Sequence, residues 1–157
     1  SITLSQQGDE AILGVGFATA VGNQELMRTR RSVPYGQGCG GAAPLGLSAN
    51  APNVGGNWDL ATANVDPVSP ASFTFFGVSP TEQPLGGVGA PGCSGLVDSP
   101  FLSLASTPAA GVATLSIPVP AAPSLIGLVL FAQSACLTNG NPFGIFASNG
   151  LKSVLGG

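Results

Sequence analysis

Residues 111–137 read GVATLSIPVPAAPSLIGLVLFAQSACL. Two apolar runs stand on either side of Pro118, Pro120 and Pro123. Each interior Pro costs a helix about 3 kcal/mol, so neither run can continue through this stretch as a helix. The second run places Ile126, Leu128, Leu130, Ala132, Ser134 and Cys136 on one face at a spacing of two, the period of a strand. At 13 residues, with Gln133 and Ser134 inside it, Leu125–Leu137 is too short for a membrane-spanning helix.

The same grammar extends through the chain. Apolar segments near 2–6, 10–21, 45–49, 57–65, 72–79, 95–98, 101–105, 111–119, 125–137 and 143–155 are separated by Gly, Pro or Asn. Only Asn23–Arg30 tolerates a helix, and its pattern is weak. Many short strands with frequent turn chemistry predict an all-β protein, a single β-sandwich of jelly-roll or immunoglobulin-like type. The 157 residues suit one such domain. Gly and Pro, 24 and 14 residues, approach the level of disordered chains, but 44% hydrophobic and 7% charged residues are the opposite of a disordered composition.

The absence of His removes Ser-His and Cys-His nucleophile systems and His-based zinc sites. Asp59, Asp66, Glu82 and Asp98 are the candidates for a carboxylate pair, and the three Asp for a calcium site. They occupy neither a glycosidase context nor a D-x-D-x-D-G loop. Gly36–Gly41 and Gly86–Gly89 lack the Lys and the strand–helix setting of a phosphate loop and read as turns. The expectation is therefore no enzyme, no cofactor and no metal. A net charge of −3 argues against nucleic acid, and Arg28-Thr29-Arg30-Arg31 reads as a solvated turn. Tyr35 and Trp58 are candidates for a sugar-stacking platform, although a lone Trp in an alternating strand more often belongs to a core or an interface. No N-x-[ST] sequon occurs; O-linked glycans would fall on the Ser/Thr-rich segments 69–74 and 103–107.

The sequence opens at Ser1, and the expectation is an exported protein, extracellular or at the cell surface, whose signal peptide has been removed. Three Cys suggest one disulfide and one leftover thiol. Cys39 and Cys93 lie in matching Gly-rich loops, and Cys136 shares its face with bulky aliphatics, as a buried inert thiol would.

Residues 1–31 divide from 32–157 at a change of composition over Arg28–Pro34, with Ser32–Gly36 as a hinge or an ordinary crossover. Within the arm, Leu13, Val15, Phe17, Thr19 and Val21 alternate with Ile12, Gly14, Gly16, Ala18 and Ala20. One face is bulky, the other nearly bare backbone. Such a strand serves either within its own domain or as a donor that completes a neighbour's sheet. The second alternative makes the chain a structural subunit of an extracellular filament or surface assembly, its partner a copy of itself. A charge-poor surface, hidden by neighbours, by glycans or by both, agrees with that. The competing expectation is a carbohydrate-binding or adhesion module for extracellular polysaccharide.

A family likeness runs from about residue 35 to 155. It is carried by Tyr35-Gly36-Gln37-Gly38-Cys39, Gly89-Ala90-Pro91-Gly92-Cys93 and Ala113-Thr114-Leu115-Ser116-Ile117-Pro118-Val119-Pro120. It continues in Pro123-Ser124-Leu125-Ile126-Gly127-Leu128, Phe131-Ala132-Gln133, Asn141-Pro142-Phe143-Gly144 and Ala147-Ser148-Asn149-Gly150-Leu151. In these motifs the chain resembles a secreted Gly/Pro-rich β-domain of planctomycete- and myxobacterium-type bacteria. The resemblance implies export, a β-sandwich and a Cys39–Cys93 bridge, with no catalytic residues; the arm lies outside it.

Overall fold

Ten strands, joined by Gly- and Pro-containing turns, make up the computed structural model, which describes residues 29–157. Leu13, Val15, Phe17, Thr19 and Val21 lie outside the described residues. The strands are β1 (Arg31–Tyr35), β2 (Gly46–Ala49), β3 (Asn57–Ala63), β4 (Ser72–Gly77), β5 (Pro80–Pro84), β6 (Ser94–Val97), β7 (Leu102–Ser106), β8 (Ala113–Pro118), β9 (Val129–Leu137) and β10 (Ile145–Val154). Among the described residues the only helical pieces are single 3₁₀ turns at Gly86–Val88 and Pro123–Leu125. The chain is all-β, and its sheets are antiparallel: one of five strands, ordered β1-β10-β9-β4-β7, one of three, β2-β3-β8, and the hairpin β5-β6.

The three pieces stack as a sandwich with a partial third layer, and β9 shows why. Its Leu130, Ala132 and Ser134 face the three-stranded sheet, where Leu47, Trp58 and Leu60 meet Ala132, and where the Thr62 hydroxyl donates to Ser134 Oγ at 2.8 Å. Its opposite face presents Gln133 to the hairpin. The Gln133 amide donates to Ser94 O at 2.7 Å and to Ser148 O at 2.8 Å, and its carbonyl accepts the Leu96 N–H at 2.9 Å. Phe131–Cys136 are consequently all buried. A strand covered on both faces carries a continuous run of small and apolar residues instead of strict alternation.

The strand does not begin at Leu125, as the periodicity suggests. Pro123 starts a 3₁₀ turn and Gly127 takes a left-handed φ of 90°, so pairing begins at Val129. The segment 31–35 is likewise not a hinge. It pairs with β10 from Arg31↔Val154 to Tyr35↔Gly150 as an edge strand, where Pro34 needs no outward N–H partner.

The Cys39–Cys93 disulfide spans 54 residues and ties the loop after β1 to the hairpin, beside Ala90 and Ala147. Cys136, the remaining thiol, is fully buried with Leu45, Val65 and Ala113, and burial pushes its pKa up. Native protein is therefore expected to show no reaction of Cys136 with a thiol-modifying reagent until it is denatured, when one thiol per chain appears. A thiol that reacts stoichiometrically in the native state contradicts this packing.

Candidate docking seam between two sheet edges

Trp58 and Tyr35 do not form a shared platform, because they lie on opposite faces of the five-stranded sheet. Trp58 is 3% exposed and packs edge-on against Phe76 at a centroid distance of 5.4 Å, in the core between the two larger sheets. Tyr35 lies on the hairpin side. Its ring stands edge-on to Phe131, its hydroxyl donates to Leu96 O at 2.5 Å, and its body covers Gly150, where any Cβ would collide with the ring. Burial pushes the Tyr35 phenol up to about 12 from its ordinary 10.

Between those two values the unfolded chain binds fewer protons at this group than the native one, so stability falls as pH rises. At pH below 10 that contribution is complete. Since Tyr35 is the only Tyr, ultraviolet titration of tyrosinate reports it alone. The expected result is ionisation near pH 12 in the native protein and near pH 10 in urea. Equal midpoints would contradict the burial of this phenol.

The carboxylates do not converge. Asp59 is exposed on β3 and accepts the Ser116 hydroxyl at 2.5 Å. Asp66 accepts the Val68 N–H at 3.1 Å and the Thr138 hydroxyl at 2.8 Å, holding its own turn. Glu82 and Asp98 are exposed elsewhere on the hairpin. Among the described residues no three His, Cys, Asp or Glu side chains gather as a metal cluster. Of the segments suggested for O-glycans, 69–74 is corrected. Ser72 and Thr74 lie inside β4, buried, with Thr74 Oγ1 3.0 Å from Ser134 Oγ, so neither hydroxyl is open to a transferase.

The feature that stands out is at the sheet edges. Exposed strand edges invite pairing with other chains and are ordinarily blocked by charge, Pro or covering groups. Edge strand β1 carries Arg31 and Pro34; β5 carries Pro80, Glu82 and Pro84; β8 ends in Pro118. The outer edge of β2 is covered by Asn149, from the β10 bulge. The Asn149 carbonyl accepts the Leu47 N–H at 2.9 Å, and its amide donates to Leu47 O at 3.1 Å. Only β7, reading Leu-Ser-Leu-Ala-Ser, has neither Pro, charge nor a covering side chain among the described residues.

Beside that edge the sandwich is open. β7 and β8 follow one another in the chain, joined through an isolated bridge at Ala109↔Val112, yet belong to different sheets. At the end of the sandwich where β7 begins and β8 ends, an apolar seam of about 290 Å³ opens, lined also by Leu125, Leu128, Leu130 and Leu155. Its walls include Phe101 and Leu102 on one side and Ile117 and Val119 on the other, with Trp58 and Phe76 at its base. Phe101 and Leu102 are 61% and 43% exposed, unusual values for neighbouring large apolar side chains. The Trp58 indole N–H is buried and has no hydrogen-bond acceptor among the described residues.

Phe101 and Leu102 were not singled out from the sequence, where they read as ordinary strand residues. Their exposure arises from the order of strands in space.

No protein-family model matches the chain, and neither a curated protein nor a solved structure matches it significantly. Two structural findings bear on habitat. The disulfide is compatible with an oxidising, extracellular setting, and no helix among the described residues is long and apolar enough to cross a membrane.

Proposed function

We propose that this chain is a structural subunit of an extracellular filament or cell-surface assembly, without enzymatic activity, whose copies are joined by strand donation from the N-terminal arm. The observation that carries the reading is the bare β7 edge in a molecule that guards its other edges. Natural sheets leave an edge bare at a cost in solubility. Here the arm residues Leu13, Val15, Phe17, Thr19 and Val21 provide the alternation that such an edge would accept.

The low charge of the chain supports the same reading, since a surface with 7% charged residues is poorly suited to a dispersed monomer. The disulfide supports assembly outside the cell. Binding of polysaccharide has less support: Trp58 presents no free face, and Tyr35 is engaged by Leu96 and Phe131.

Sedimentation velocity of the full chain over a range of concentrations tests the proposal. Species much larger than a monomer, growing with concentration, are expected. A single monomeric boundary at every concentration overturns it.

A further inference from the structure

We infer that the β7/β8 seam is the acceptor site, and that its occupant is residues 11–21 of a second copy, added antiparallel to β7. This rests on the reading of the chain as a strand-linked subunit and assigns the surface on which the linkage is made.

Two independent features of the seam fit that occupant. The first is its chemistry. The lining is almost wholly apolar, which suits the bulky face of the arm and not a charged or sugar-like ligand. An apolar cavity of about 150 Å³ holds one benzene-sized group. The seam's 290 Å³ therefore takes Phe17 with an aliphatic neighbour such as Val15 or Leu13. The second is the edge itself. Adding a strand to β7 continues the five-stranded sheet, and every strand pairing in the described sheets is antiparallel.

The length of the arm agrees. Arg31 pairs with Val154, Val154 with Val129, Gly77 with Phe131 and Phe76 with Leu102, so the start of β1 and the start of β7 lie at the same end of the sheet. They are separated by four interstrand spacings, about 19 Å. Residues 22–30 extend up to about 30 Å. Residues 22–30 are thus long enough to span the distance from the start of β1 to a β7 seam, in the same copy or in an adjoining one.

Photocrosslinking tests the assignment. The full chain is prepared with benzoylphenylalanine at position 17 and, because the larger group at 17 could disturb docking, separately at position 19. After irradiation, products are sized under denaturing conditions and mapped by mass spectrometry. Crosslinks between chains, mapped to Phe101–Leu104 or Leu115–Pro120, are the expected result. The same map within a single chain would retain the seam as the arm's dock but overturn its occupation by a second copy, and strand donation between copies with it. Crosslinks to other surfaces from both positions, in material that still polymerises, would overturn the seam and leave strand-linked assembly standing. On the acceptor side, Leu102→Asp is expected to raise the concentration needed for assembly at least tenfold without changing the β-sheet circular dichroism of the monomer. Unchanged assembly in that variant counts against the seam.

Discussion

Phe17→Asp is expected to yield a folded protein that does not assemble. Full burial of a Phe side chain contributes roughly 1.5–3 kcal/mol. An Asp in its place leaves an unpaired carboxylate against an apolar wall, a penalty of several kcal/mol more. Each 1.4 kcal/mol is about a tenfold change in affinity, so association should weaken by well over a hundredfold. The body is expected to fold without this side chain. Its core cluster of Leu47, Trp58, Leu60, Phe76, Ala132, Leu151 and Leu155 lies wholly within residues 29–157. Circular dichroism and thermal unfolding of the monomer should match those of wild-type monomer, while large species disappear on sedimentation. Polymers of normal size and abundance in Phe17→Asp would show that the arm's bulky face is not what joins the subunits.

Cys93→Ser is expected to have the largest effect on the stability of the body. The Cys39–Cys93 bridge closes a loop with a sequence separation of 54, and the chain-entropy relation gives about 4 kcal/mol for a loop of that size. For a domain of this length that corresponds to a fall in Tm of about 8–16 °C. The hairpin β5-β6 should loosen first. Apart from the bridge it is held to the five-stranded sheet chiefly by Gln133 and Tyr35, through Ser94 O, Leu96 N and Leu96 O. Denaturant unfolding of oxidised wild type and of Cys93→Ser measures the difference directly. A loss under 1 kcal/mol would mean that the hairpin docks well without the bridge.

Much of this architecture was legible because β-strands announce themselves twice, by period and by punctuation. Gly46–Ala49, Asn57–Ala63, Ser72–Gly77, Ser94–Val97, Leu102–Ser106, Ala113–Pro118, Val129–Leu137 and Ile145–Val154 all fall where alternation or apolar runs meet Gly, Pro or Asn. The all-β sandwich follows from them. Two strands escaped, for one reason. Arg31–Tyr35 contains Pro34 and overlaps the segment read as a hinge or crossover, and Pro80–Pro84, which begins and ends in Pro, falls between two of the apolar segments. Pro excludes a central strand but not an edge, and nothing local in a sequence tells edge from centre.

The same limit hid the seam. Ala-Thr-Leu-Ser-Ile-Pro and Leu-Ser-Leu-Ala-Ser read as two equivalent strands. Their position on the open side of the sandwich depends on the crossovers that place β9 and β10 inside the larger sheet. Trp58 was easier in part: its alternating context favoured a core or an interface, and the structure buries it in the core beside the seam. Cys39 and Cys93 were legible as loop cysteines, and Cys136 as a core thiol, from their neighbours alone.

Strand donation requires that residues N-terminal to β1 join one copy to the next. Negative-stain electron microscopy of the full chain beside a chain lacking residues 1–28 puts that question most directly, because the truncation removes the arm and leaves β1 intact. Filaments or ordered oligomers from the full chain, and dispersed single particles from the truncated one, are the expected result. Filaments from both would place the joining contacts within the body, and dispersed particles from both would show that the arm joins nothing; either result contradicts strand donation.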